Sequence, residues 1–463
     1  MTCKAFYHIK DSVTIEINEN LLSDTVKDVI RGLLYRAIEV NFVAVKELVI
    51  RTKNAPKTDV PTVSEEGIYI GGISEKEVID ALFRMLVKAE PIEFNEKEKI
   101  VGIPTGEYTV NTVAGMRILH LCIFPETDYI SLKKTVRFAG ILGYTHVVVE
   151  SWGGMEFKCL KELGWKGFTF TKAQIDDIIR EIRAFKMEPI PMVNCLGHAS
   201  LSRVDIRKHV VLDQNLLLSD YFLKYGWVWN FKKQKVKDLL KEMRREMCEI
   251  CGEGEYFHVG LDETYYNPGS EEEKDKIYEY ITELCEVVKA EGRTPILWGD
   301  MFLNSQELDA PRKYYSCHAY TSKTAAKMLA AVPKDVLVAD WHYRVTEYPW
   351  KTSVHLNKLG YKTVQCSWYD LKNCESAVET CKQVGTLGVM VTTWHGLVLQ
   401  AKGYEAILRT ALGALGFDAP EWTDGTLFAA DLWRKVMDIG DEYTRYGFEK
   451  TQITEYTDNF IID

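Results

Sequence analysis

A chain of 463 residues with 46% hydrophobic and 27% charged residues is neither a disordered polymer nor a small disulfide scaffold. It is long enough to bury most of its surface without covalent staples. A formal net charge of −10 argues against a binder of nucleic-acid backbones and fits neutral or cationic ligands.

Residues 1–11 lack the apolar stretch of a secretory leader, and no run approaches the ~18 apolar residues of a membrane span. The eleven cysteines are scattered. Cys248 and Cys251 form a C-x-x-C pair, but the second pair that a zinc site needs is missing. They read as ordinary thiols, and the expected compartment is a reducing cytoplasm.

Residues 1–112 read as a small α/β domain. Strand-like alternation covers Val13–Ile17, Glu47–Arg51 and Gly67–Ile70, and helical periodicity covers Thr25–Ile38 and Glu75–Lys88. One sheet with helices on one face is expected. A turn-rich stretch from Gly102 to Gly115 then marks the boundary to a second domain, 113–463.

From there a regular beat sets in. Short apolar runs at Ile118–Ile123, His146–Val149, Pro189–Val193, Tyr256–Gly260, Pro295–Trp298, Val336–Ala339, Thr363–Cys366 and Leu387–Thr392 alternate with helical patterns. Such a series predicts a (β/α)8 TIM barrel, closed by a C-terminal helix at Tyr404–Leu415 and a polar tail at 449–463. No Gly-rich phosphate turn is present, so nucleotide binding has no support.

Chemistry in such a barrel sits at the carboxyl ends of the strands. There the sequence places Glu150-Ser151-Trp152, Asn194 with Leu196-Gly197-His198, Asp262-Glu263, Trp298-Gly299-Asp300, Asp340-Trp341-His342-Tyr343, Ser367-Trp368-Tyr369 and Thr393-Trp394-His395. A rim of tryptophans with carboxylates at its base suits a pyranose, whose C–H faces stack on indole while acids handle hydroxyls and protons. Neighbours on a regular strand point to opposite faces, so Asp262 and Glu263 can share a pocket only where the strand yields to a loop. Two close carboxylates cannot ionise independently; the anion of one should raise the pKa of the other and create a proton donor. His258, inside a strand, reads as a core histidine.

His258-Val259-Gly260-Leu261-Asp262-Glu263 resembles the H-x-G-G-D-E motif of family 20 glycoside hydrolases, the β-N-acetylhexosaminidases. Asn194-Cys195-Leu196-Gly197-His198 resembles the family's P-G-H turn, and Trp298-Gly299-Asp300-Met301 the W-x-D-M segment of its shorter bacterial exo-β-N-acetylglucosaminidases. The resemblance spans roughly residues 115–415, and the small first domain is similar to the non-catalytic domain that these enzymes carry.

The resemblance implies exo-acting, retaining removal of terminal β-linked N-acetylhexosamine (GlcNAc, GalNAc or both), with the substrate's own acetamido group as nucleophile. Asp262 would orient that group and Glu263 would be the general acid and base. Tyr343 would steady the acetamido oxygen, although Asp340 and Trp341 could exchange roles with it. Trp298, Trp341, Trp368 and Trp394 would wall the sugar, Arg117 would bind its hydroxyls, and His198 and Glu150 would support the site. No metal or organic cofactor is implied. The partner is a small glycan, not a nucleic acid or a membrane, and a homodimer is compatible with the sequence.

The chain departs from the family pattern at Leu261, which replaces a glycine, and at Gly396, where an acid is usual. Glu150 also stands where an Asp-Asp pair is usual. Two alternatives remain open: an ordinary retaining glycosidase using Glu150 and Glu263, and a non-catalytic sugar-binding barrel.

Overall fold

The computed structural model describes residues 5–72, 74–95, 97–200, 202–203, 208–266, 268–394, 401–417 and 425–438. Eight parallel strands close into a barrel: β1 (Met116–Ile123), β2 (His146–Ser151), β3 (Glu188–Met192), β4 (Tyr256–His258), β5 (Thr294–Trp298), β6 (Leu337–Trp341), β7 (Lys362–Ser367) and β8 (Gly388–Val391). Each pairs with its sequence neighbour, and β8 returns to β1 in the register Met116 to Gly388. Each of the eight apolar runs of the sequence supplies one strand. Runs such as His146–Ser151 are buried on both faces because helices cover the outside, so they read as continuous apolar segments.

The helices carry their own start signals. Thr171 and Gln174 form a reciprocal capping box at Lys172–Ala184. Ser270 caps Glu271–Ala290, whose first turn holds three glutamates facing the positive end of the helix dipole.

Side chains alternate in and out along each strand, and the inward set fills the barrel. Its apolar layers comprise Met116 and Ile118, Val148, Ile190 and Met192, Ile296 and Trp298, Leu337 and Ala339, Val364 and Cys366, and Met390. Continuing the same parity towards the carboxyl ends brings His120, Glu150 and His258 inward. They form a buried polar layer above the apolar ones and beneath the barrel mouth.

The chain divides into two compact units. One comprises Val110–Thr127 with Leu142–Ala429, and the other Met1–Thr109, Asp128–Ile141 and Ala430–Asp463. Within the latter, the expectation of one sheet does not hold. A six-stranded sheet runs in the order Glu39–Val45, Ser12–Asn18, Val49–Thr52, Gly67–Gly71, Thr62–Ser64, Gly106–Glu107. A separate three-stranded sheet contains Phe6–Lys10, Lys99–Pro104 and Glu90–Phe94. Glu90–Phe94 is exposed at every position, so it carries no burial pattern to read. The helix read as Thr25–Ile38 ends at Leu33, because Tyr35 and Arg36 adopt left-handed φ angles of 61° and 51°. The following Glu39–Val45 is rich in valine and extends as a strand. The tail at 449–463 lies outside the described residues.

Arg117 is not at the mouth. It sits one residue into β1 with the opposite parity to Met116 and Ile118, at the amino end of the barrel, and it is 6% exposed. Its Nε donates to the Gly143 carbonyl at 2.6 Å, and Nη1 donates to the carbonyls of Ala114 and Gly115 at 2.9 and 3.3 Å. It ties the barrel floor together and cannot bind a sugar at the other end. Arg117→Met should therefore lower the unfolding free energy by about 2–4 kcal/mol, since it leaves buried carbonyls unpaired. Chemical denaturation measures this loss, and substrate KM should stay unchanged.

Candidate active site

The turn after β4 carries the two acids. Its backbone passes through left-handed conformations at Gly260 (φ 72°), Leu261 (83°), Glu263 (43°) and Tyr265 (44°). Non-glycine residues adopt that region at a cost of roughly 1–2 kcal/mol each. The reversals break the strand's alternation, which is how adjacent Asp262 and Glu263 come to share one side. Gly260 is obligatory because a Cβ there would lie 2.3 Å from the Asn194 side-chain oxygen. Gly197 is equally constrained: its Cβ would lie 2.3 Å from the Asp262 carbonyl oxygen. The loop after β3 thus packs directly under the acid turn. Trp229 and Tyr280 hold that loop, donating to the carbonyls of Asn194 and Cys195.

This packing delivers His198. Its Nε2 stands 3.3 Å from Asp262 and 3.4 Å from Glu263. Burial opposes charge on the imidazole, but the two carboxylates outweigh it and push its pKa up to about 10. Burial pushes Asp262 up to about 6, against the pull of His198. Burial also acts on Glu263, but bonds from His198 and Tyr265 overcome it and hold its carboxyl below the ordinary range. The sequence argument expected repulsion from the anion of one carboxylate to raise the pKa of the other, and the family resemblance implied that Glu263 is the acid. In the free protein a shared imidazolium relieves that repulsion, and the deeper carboxyl, Asp262, is the one raised.

Asp262 is 7% exposed, and its Oδ1 has no protein partner. Tyr265 donates its hydroxyl to Glu263 Oε1 at 2.8 Å. Asp300, fully buried after β5, accepts from the Glu263 backbone N–H (3.0 Å) and the Trp341 indole N–H (3.1 Å), and pairs with His318 Nδ1 (2.8 Å). It locks the acid turn to β5 and β6.

An aromatic girdle surrounds the acids. Ring centroids follow one another from Trp394 to Trp152 (5.9 Å), His198 (5.2 Å), Trp227 (4.6 Å), Tyr265 (6.4 Å), His318 (5.3 Å), Trp341 (5.8 Å) and Tyr343 (5.0 Å). The Trp394 indole N–H donates to the Tyr343 hydroxyl and closes the circle. Trp368 packs behind Tyr343 at 5.5 Å. Trp298 lies beneath, 4.5 Å from His258 and 6.0 Å from Trp394.

The structure therefore brings Asp262, Glu263, Tyr343, His198, Trp298, Trp341, Trp368 and Trp394 together. Glu150 is near but not available to a ligand. It is 1% exposed, Oε1 accepts from Trp152 and Asn194 at 2.6 Å each, and Oε2 pairs with His120 at 2.8 Å. It positions Trp152 and Asn194 instead of touching a sugar. Asp340 is likewise consumed internally by Thr352 and Ser353. His258 is a core residue, its Nδ1 accepting from the Gly260 N–H. His395 and Gly396 lie outside the described residues.

Sequence reasoning missed the roles of Asp300, His318, Tyr265, Trp227 and His120. Asp300 stood at a strand end and His120 inside an apolar run, both of which are readable signals. Trp227 and His318 come from loops with no periodic pattern. Among the described residues no His, Cys, Asp or Glu group forms a metal site, and no helix is long and apolar enough to cross a membrane.

Residues 151–415, more than half of the chain, match the family described as "Glycosyl hydrolase family 20, catalytic domain". The chain belongs to glycosyl hydrolase family 20. It is a glycoside hydrolase. None of the curated proteins compared with it matches. Its fold is similar to that of Flavobacterium johnsoniae chitobiase, with a TM-score of 0.62 and 15% identity over 94% of this chain and 71% of that one. It also resembles the β-N-acetylhexosaminidase of Bacteroides fragilis (0.61, 16%, 93% of each chain) and that of Streptomyces coelicolor (0.58, 12%, 94% of each).

Replacing His198 by Gln removes a positive charge that favours both anions. Both carboxyls should then titrate at higher pH than in the parent, Asp262 above about 6. Carbon-13 NMR titration of labelled Asp and Glu side chains reads both; unmoved carboxyl titrations would mean that the imidazole is neutral.

Proposed function

We propose that this family 20 enzyme is an exo-acting, retaining β-N-acetylhexosaminidase that uses the acetamido group of its substrate as nucleophile. The observation that carries this reading is a buried Asp262 with one unpartnered oxygen beside Glu263, while both nearby alternatives are engaged. Glu150 and Asp300 are each 1% exposed and saturated by protein donors. A two-carboxylate mechanism needs a second acid able to reach the anomeric carbon. The non-catalytic alternative gives no use to a buried imidazolium shared by two acids.

In the proposed reaction the acetamido oxygen attacks the anomeric carbon while Glu263 protonates the departing glycosidic oxygen. Asp262 accepts the acetamido N–H and its charge balances the oxazolinium that forms. Glu263, now an anion, takes a proton from water as that water opens the ring, which restores the original anomeric configuration. Tyr343 accepts from Trp394 and also bonds to the Thr392 hydroxyl, and it would turn its proton to the acetamido oxygen when the sugar binds. Trp298, Trp341 and Trp394 wall the sugar, with Trp368 buttressing Tyr343.

Substrate itself sets the protonation states. The Glu263 side chain is 27% exposed, so a sugar that covers it removes water and raises its pKa. The acetamido N–H does the opposite for Asp262 by favouring the anion. Binding therefore shifts the proton toward the acid that must donate it. The reading extends to a cytoplasmic enzyme acting on small glycans, supported by ten free cysteines among the described residues.

Aryl β-N-acetylglucosaminides and the matching β-glucosides test the mechanism. Cleavage should require the acetamido group, and equal rates on the two would overturn it. Asp262→Asn should weaken a thiazoline mimic of the charged intermediate by about 10²–10³-fold while free N-acetylglucosamine changes far less. Inhibition constants on both proteins measure the difference, and a proportional loss for the two ligands would reduce Asp262 to a shaping role.

A further inference from the structure

The girdle has two unlike halves. Trp152, Trp394, Tyr343 and Trp341 are neutral, and Tyr343 lies near enough to Asp262 to feel its charge. The remaining arc flanks Glu263 and carries cations. Trp227 donates its indole N–H to the Glu263 carbonyl at 2.7 Å, and Tyr265 bonds to its carboxylate. The Lys224 ammonium donates to the Tyr265 carbonyl at 2.5 Å and stands 5.3 Å from the centre of its ring. The His318 ring is 5.3 Å from the same ring on its other neighbour contact.

We propose that the arc formed by Lys224, Trp227, Tyr265 and His318 is an aglycone site that takes an acidic leaving group, a ring bearing a carboxylate. The inference rests on the hexosaminidase reading, because Glu263 must face the glycosidic oxygen, so residues flanking it on the side away from the sugar box meet the leaving group. The aromatic side chains supply apolar wall. Lys224 supplies the charge, and Arg312, exposed on the segment leading to His318, adds to it, while His318 spends its own charge on Asp300 and serves as wall.

Although the whole chain is at −10, the cations of this arc left without an acidic partner among the described residues are Lys224 and Arg312, because His318 is paired with Asp300. Asp300 is fully buried and spends its charge on His318, Trp341 and the Glu263 N–H. Asp262 faces His198. Glu263 carries a proton when it acts. Burial opposes charge on His318, yet the Asp300 bond outweighs it and raises its pKa. Lys224 is also held in a left-handed conformation at φ 47°, a cost of roughly 1–2 kcal/mol for a residue with a side chain. Strain of this kind concentrates where a side chain must be aimed.

A pair of S-linked aryl β-N-acetylglucosaminides, 4-carboxyphenyl and 4-carboxamidophenyl, resists cleavage and differs in aglycone charge. Calorimetric Kd values on the full chain should favour the carboxylate by about 3- to 10-fold at low salt, as one or two half-exposed ion pairs would give. The preference should shrink in high salt. Lys224→Met should bring the ratio close to one, and Lys224→Arg should restore it. A ratio at or below one, or a ratio that Lys224→Met leaves in place, would overturn the acidic aglycone while the neutral compound's binding upholds the hexosaminidase reading. If neither compound binds and the O-linked neutral glycoside is not cleaved, both inferences fall.

Discussion

A single buried imidazolium organises the mouth of this barrel. His198 lies between two consecutive carboxyls at nearly equal distance, and burial of the imidazole and of Asp262 is costly for either as an isolated charge. The cost of burying them is offset only if the histidine arrives at the right height and tilt. The close packing of the β3 loop under the β4 turn meets that demand through Gly197 and Gly260, where a methyl group would collide with Asp262 and Asn194. The polar layer below, in which Glu150 joins His120, Trp152 and Asn194, braces this packing from beneath.

The same arrangement explains why protonation in the free enzyme differs from what the proposed cleavage needs. With the Glu263 side chain 27% exposed and that of Asp262 10%, burial raises the deeper acid and the imidazolium lowers the shallower one. An enzyme that stored its proton on Glu263 in the absence of sugar would need Glu263 deeper in the protein, where a leaving group could not reach it. In the reaction we propose, the aromatic girdle resolves the conflict by letting the sugar supply the burial. Asp300 then keeps the acid in place, because it fixes the Glu263 backbone and two rings of the girdle together.

The sequence by itself determined the barrel. Eight apolar runs separated by helices leave few other closed solutions, and each run became a strand because burial on both faces writes itself into composition. It also marked the acid pair, since Asp262-Glu263 ends a strand on a rim set with tryptophans, and strand ends converge on one face. These features are local or repeat with the chain's own period, so they are visible along one dimension.

Tertiary structure decided the rest. Arg117 and His120 lie in one strand only three residues apart, yet parity and height send the first to the barrel floor and the second into the polar layer. Glu150 looks like a ligand from its place at a strand end and is spent on three neighbours drawn from different segments. Trp227, Tyr265 and His318 join the site only because separate loops fold over the same rim. The second sheet of the small unit was unreadable because Glu90–Phe94 is exposed throughout and leaves no pattern. Whether a polar side chain is free or consumed depends on which distant groups reach it, and that information is held in the packing and not in the order of residues.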